Sequence, residues 1–171
     1  MKLSRRVWIS SGVLSVLLLG ATTVLAQNPT LPNDHLTGLW RINLAKSKFN
    51  PAETAPKKDQ ARINVTQAGI KVQTDGTNAE GKPTHSEYMA KFDGKDYPWT
   101  GTIDGKPNTG QDAVAWTKID DWNFEVTNKL KGAVISTMKI AINKDGKSGT
   151  ATVAGKNSQG QTVNSTVVFE K

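Results

Sequence analysis

The sequence predicts an all-β protein: a single antiparallel up-and-down β-barrel of about eight to ten strands, preceded by a signal peptide. Three observations predict it. From Gly38 onward the chain is a series of short runs in which apolar and polar residues alternate, set roughly ten residues apart and separated by Gly, Asp and Asn. None of these runs keeps the 3.6-residue period of an amphipathic helix. Consecutive hairpins in an open sheet would leave two unpaired edges, and closing the sheet into a barrel removes them. A β-sandwich is the second architecture this pattern allows.

Residues 1–26 read as a secretion signal. Lys2, Arg5 and Arg6 form a basic start, Ile9 to Leu19 an apolar stretch, and Val24-Leu25-Ala26 a small-residue exit. The apolar stretch is short and interrupted by Ser and Gly, which argues against a membrane span. Ser4-Arg5-Arg6-Val7-Trp8-Ile9 also resembles a twin-arginine export signal; the general secretion route is the one we favour. Residues 27–36, with Pro29 and Pro32, read as a flexible tail, and 37–171 as the barrel domain.

The strands follow in order. Trp40, Ile42 and Leu44 share one face, and residues 50–59, with Pro51, Pro56 and several charges, read as a loop. Ile63 and Val65 share a face, then Ile70 and Val72 after an Ala68-Gly69 turn. Ser86, Tyr88, Ala90 and Phe92 align before Asp93-Gly94, which reads as a two-residue hairpin turn. Tyr97 and Trp99 follow, with Pro98 marking an edge or bulge. Val114 and Trp116, then Trp122, Phe124 and Val126, then Val134, Ser136, Met138, Ile140 and Ile142 continue the alternation. Residues 149–154 and a run with Val163, Ser165, Val167 and Phe169 aligned close the chain. Residues 76–81 and 155–160 repeat the pattern G-x-N-x-x-G, which two hairpins of one turn geometry explain better than an ancient duplication.

Composition removes several classes of function. There is no Cys, which excludes disulfides, thiolate metal sites and a Cys nucleophile, and Gln27 stands where a lipid anchor would need Cys. Two histidines, His35 and His85, are too few for a multi-histidine metal site. The net charge of +7 falls to +4 once Lys2, Arg5 and Arg6 are set aside, leaving 19 basic against 15 acidic residues. These are dispersed in turns rather than gathered in a stripe, so no nucleic-acid partner is expected. Enzyme motifs such as a nucleophile elbow, a paired-histidine zinc motif or a phosphate loop are absent, and no catalytic residue and no cofactor are expected. His85 beside Glu87 reads as a solvated strand face rather than an acid–base couple. Asp93, Asp120, Asp121 and Asp145 read as turn residues rather than calcium ligands.

The inward faces carry the candidate site. Tyr88, Trp99, Trp122, Phe124 and Met138 either fill the barrel or line a cavity. Ser86, Ser136 and Ser165 fall on faces otherwise apolar, and buried hydroxyls need partners, so they point to enclosed water or to a ligand with a few polar groups. No charged residue is placed on an inward face, which predicts an uncharged ligand.

The segment Gly38-Leu39-Trp40-Arg41-Ile42, continuing to Ser47 and Phe49, resembles the G-x-W first strand of lipocalins and fatty-acid-binding proteins, the calycin group, and residues 165–171 resemble the last strand of the latter. The pattern G-x-W-x-x-N-x-x-K-S-x-F from Gly38 and E-Y-x-x-x-x-D-G-K-D-Y-P from Glu87 is similar to a group of small exported bacterial proteins. The resemblance implies a calycin-like barrel with an interior site. Two features depart from fatty-acid-binding proteins: the gap at 49–60 is too short for their helical lid, and Val167 and Phe169 stand where they carry the Arg-x-Tyr pair that holds a carboxylate. The expectation is therefore a monomeric periplasmic or secreted barrel, with no membrane anchor after signal cleavage. It would bind a small, mostly apolar, uncharged ligand inside. The alternative is a filled barrel that binds an envelope partner through its surface.

Overall fold

The computed structural model describes residues 34–156 and 160–171. The signal segment and residues 27–33 lie outside the described residues, as do 157–159, so the second G-x-N-x-x-G turn is not compared with the first.

Eleven strands follow in chain order: β1 (Gly38–Ile42), β2 (Lys58–Thr66), β3 (Gly69–Thr77), β4 (Pro83–Ala90), β5 (Tyr97–Ile103), β6 (Lys106–Pro107), β7 (Ala113–Lys118), β8 (Asn123–Leu130), β9 (Ala133–Ile142), β10 (Ser148–Lys156) and β11 (Thr162–Glu170). Ten of them form a closed antiparallel barrel in which each pairs with its neighbour in sequence, while the two-residue β6 folds back on β5. The ring closes between β1 and β11 through Arg41↔Glu170 and Ile42↔Phe169. The β5–β7 seam is equally short, with Tyr97↔Val114 and Pro98↔Ala113 in register, and Pro98, which has no N–H to donate, sits there.

Strand parity sets what faces inward. On β2 it is Asp59, Ala61, Ile63 and Val65, paired respectively with Gly76, Thr74, Val72 and Ile70 on β3. Lys131-Gly132, both with positive φ, makes the tight β8–β9 turn, where Leu130 pairs with Ala133. Asp93-Gly94 does not make such a turn. Six residues separate β4 from β5. The Asp93 carboxylate accepts the Lys95 N–H, and Gly94 N–H donates to the Trp116 carbonyl. These bonds draw the loop over the barrel end and seat Phe92 inside.

That end is packed solid. Phe92 meets Trp116 edge-on at 5.9 Å and Phe124 at 5.7 Å between ring centroids, and Val65, Ile70, Ala90 and Ile142 are buried with them. The described part of the expected tail also packs here. Asp34 caps the N–H groups of Leu36 and Thr37, Leu36 is buried, and its carbonyl accepts the Trp40 indole N–H at 2.6 Å. Leu36, expected as the end of a flexible tail, is thus packed against the barrel end.

Candidate functional site

Beyond the aromatic plug, the barrel contains a cavity of about 350 Å³. Trp40, Tyr88, Trp116 and Phe169 line it, with Ile63, Val72, Ile140, Val153 and Val167 between them. Parity puts these side chains inside, and the small Ala61 and Ala151 leave the room. Part of the wall is not strand. After β1 the chain turns away and returns to β11, where Lys48 bridges Thr166 and Asn164 N–H donates to the Asn50 carbonyl. It then passes through a short 3₁₀ turn (Ala52–Thr54) to β2. Phe49 and Pro56 from this crossing line the cavity.

Contrary to expectation, a charged side chain faces inward. Asp59 lines the cavity, and its Oδ1 is shielded from solvent with no hydrogen-bond partner. Burial raises its carboxyl from the usual 3.8 to about 6; the nearby charge of Asp75 adds to this, and a hydrogen bond from the Gln60 backbone opposes it. Gly76 makes room for this carboxyl: a Cβ there would lie 2.7 Å from the Lys58 carbonyl and 3.1 Å from Asp59 Oδ1. Two prolines and several charges ahead of Asp59 make it read as loop. The ladder instead begins at Lys58↔Thr77, and counting back two from Ala61 is the signal that finds it.

Tyr88 and Met138, of the residues expected to bind, line the cavity. The Tyr88 hydroxyl accepts the Trp116 indole N–H at 3.2 Å, and burial pushes its phenol well above the usual value. The other six lie elsewhere. Phe124 belongs to the aromatic plug. Trp99 lies flat over Gly101, its ring filling the space a Cβ would need. Trp122 is at the barrel end, stacked on His35 at 3.5 Å with the Lys144 ammonium 4.5 Å from its ring. Ser86 faces Thr74 and Gly101 in register, outside the cavity lining. Ser136 Oγ accepts from Asn128, and buried Ser165 Oγ accepts the Asn50 N–H. The last two hydroxyls therefore meet protein partners, which residue alternation alone could not foresee.

On the outside, His85 pairs with Asp75 at 2.7 Å, while Glu87 binds Lys71 and Gln73. The lysine hydrogen bond holds the Glu87 carboxyl below its usual value. Each has its own partner, and the two do not form a couple. Asp120 and Asp145 each accept N–H groups two and three residues on, as turn residues do.

Fold and site together define an antiparallel ten-stranded barrel with an apolar interior cavity, consistent with a calycin-like fold. No protein-family model matches the chain, and no curated protein matches it significantly.

Proposed function

We propose that this is an exported barrel that binds a small, mostly apolar molecule in its interior. The observation that carries this reading is the cavity of about 350 Å³ with its aromatic and aliphatic walls. Small-molecule sites run from about 300 to 1,000 Å³, and a barrel filled by its own side chains would leave no such room. Burying about 200 Å² of apolar ligand surface at ~25 cal/mol per Å² supplies about 5 kcal/mol before the costs of association. The basic, apolar and small-residue order of residues 1–26 supports export.

Native mass spectrometry of protein purified from its own cell envelope tests this, together with titration by nonanol read from tryptophan emission. Trp40 and Trp116 line the cavity, so an occupant changes their surroundings. The expected result is a co-purified small mass or a saturable emission change. An empty protein that is also blind to nonanol refutes the reading.

A further inference from the structure

Most of the cavity wall is hydrocarbon, yet one acidic side chain is built into it. Asp59 occupies an inward position on β2, in register with Gly76 on β3, and Gly76 in turn faces Thr84 on β4. A side chain at 76 would collide with the Lys58 carbonyl and press on the Thr84 hydroxyl and Asp59 Oδ1. Gly76 has no positive φ to require glycine; here the residue serves to clear space. The space is used by a carboxyl whose Oδ1 meets neither solvent nor a donor. A buried acceptor left without a donor is costly, and a buried carboxylate more so.

We infer that the ligand is a lipophilic amine, whose hydrocarbon part fills the cavity and whose ammonium group pairs with the Asp59 carboxylate. This rests on the barrel being a ligand site and specifies the head group that site takes. The Gln60 backbone hydrogen-bonds to the carboxyl, and an ammonium adds what that neutral donor does not supply, an opposite charge with further N–H donors. Charge-assisted hydrogen bonds are stronger than neutral ones, and more so away from water. A neutral alcohol supplies a donor without the charge, and a fatty acid brings a second negative charge. The order of affinity is therefore amine, then alcohol, then acid.

The charged groups around Asp59 leave this role open. Asp75 on β3 adds negative potential and is paired with His85 on β4. Lys57 and Lys58, beside it in the chain, are exposed. Arg41 on β1 is exposed at the cavity rim, and none of the protein's ion pairs among the described residues joins it to Asp59. With a carboxyl that titrates near pH 6, the amine preference is present at pH 7.5 and declines by pH 5 as Asp59 takes up a proton.

The test compares nonylamine, nonanol and nonanoic acid, which share one chain and differ in head group. Binding is measured by calorimetry and tryptophan emission to the wild type and to Asp59→Asn. At pH 7.5 nonylamine is expected to bind at least tenfold more tightly than nonanol, with nonanoic acid weakest. Asp59→Asn is expected to remove the amine advantage while still binding nonanol, which also shows that the variant is folded. Equal affinity for amine and alcohol, or an advantage that survives Asp59→Asn, overturns the inference and leaves the apolar-ligand reading standing. Failure of all three probes overturns the inference, and together with an empty protein in native mass spectrometry it overturns the apolar-ligand reading as well.

Discussion

Asp59 holds its proton more tightly in the folded chain than in the unfolded one, because folding removes the carboxyl from water. Between the unfolded value near 3.8 and the folded value of about 6, the folded state retains a proton that the unfolded state has released. Its contribution to stability therefore falls as pH rises through that window and is level above it. Asp59→Asn removes the penalty. It should raise stability at pH 7.5 by on the order of 1–2 kcal/mol, a figure reduced for partial exposure, and by almost nothing at pH 4. Urea unfolding of both proteins at the two pH values measures this. Glu87, Asp145 and Glu170 run the other way: hydrogen bonds from Lys71, the Lys147 backbone and Lys46, respectively, lower their carboxyls. Those contributions are present above the ordinary carboxylate range and fade on acidification, and they cancel in the comparison because both proteins carry them. A variant no more stable than wild type at pH 7.5 would show that Asp59 is better solvated, or already partnered.

The elements explain which parts of the site were legible. Alternation identifies the inward face of a strand once the strand is found, and so Tyr88 and Met138 were placed in the cavity wall. It says nothing about height along the barrel axis. Phe124 shares its strand face with Val126, yet lies in the aromatic plug rather than around the void. Trp122 lies one residue ahead of β8 and stacks on His35 at the barrel end. The β1–β2 connection was legible as a loop and illegible as a wall, because its contacts are with β11, more than a hundred residues on. That connection gives Ser165 its role. Ser165→Ala leaves the Asn50 N–H without its acceptor, at a cost of about 1 kcal/mol. Hydrogen exchange should locate the loss at residues 48–50, while the amides of β3 and β4 keep their protection. Unchanged protection at Asn50 would mean that the carbonyl ladder from Lys48 to Thr166 holds the crossing alone.

At the scale of the whole molecule, closure and cavity pull in opposite directions. A closed ring gives each of ten strands a neighbour on both sides and, among the described residues, leaves the two-residue β6 as the projecting edge. The strand count and the turn spacing made this legible from the chain alone. What spacing cannot reveal is whether the interior is full, since that depends on how side chains of different size meet across the barrel. Ala61 faces Thr74 and Trp40 in register, and Ala151 faces Ile140 and Val167, so small residues sit opposite large ones without filling the middle. An unfilled apolar void forfeits packing energy that an occupant can restore. Ala151→Leu separates the two possibilities for this interior. The added carbons are expected to enter the empty space of the cavity, so stability stays level or rises by up to about 1 kcal/mol, and nonanol binding weakens at least tenfold. If the interior is full, the same substitution overpacks it and destabilises by about 1–3 kcal/mol. Thermal unfolding with and without nonanol reads both quantities at once, because an occupant at about a hundred times its Kd stabilises the folded state by about 2.7 kcal/mol. Wild type should show that gain, and Ala151→Leu should lose it while remaining at least as stable as the unliganded wild type.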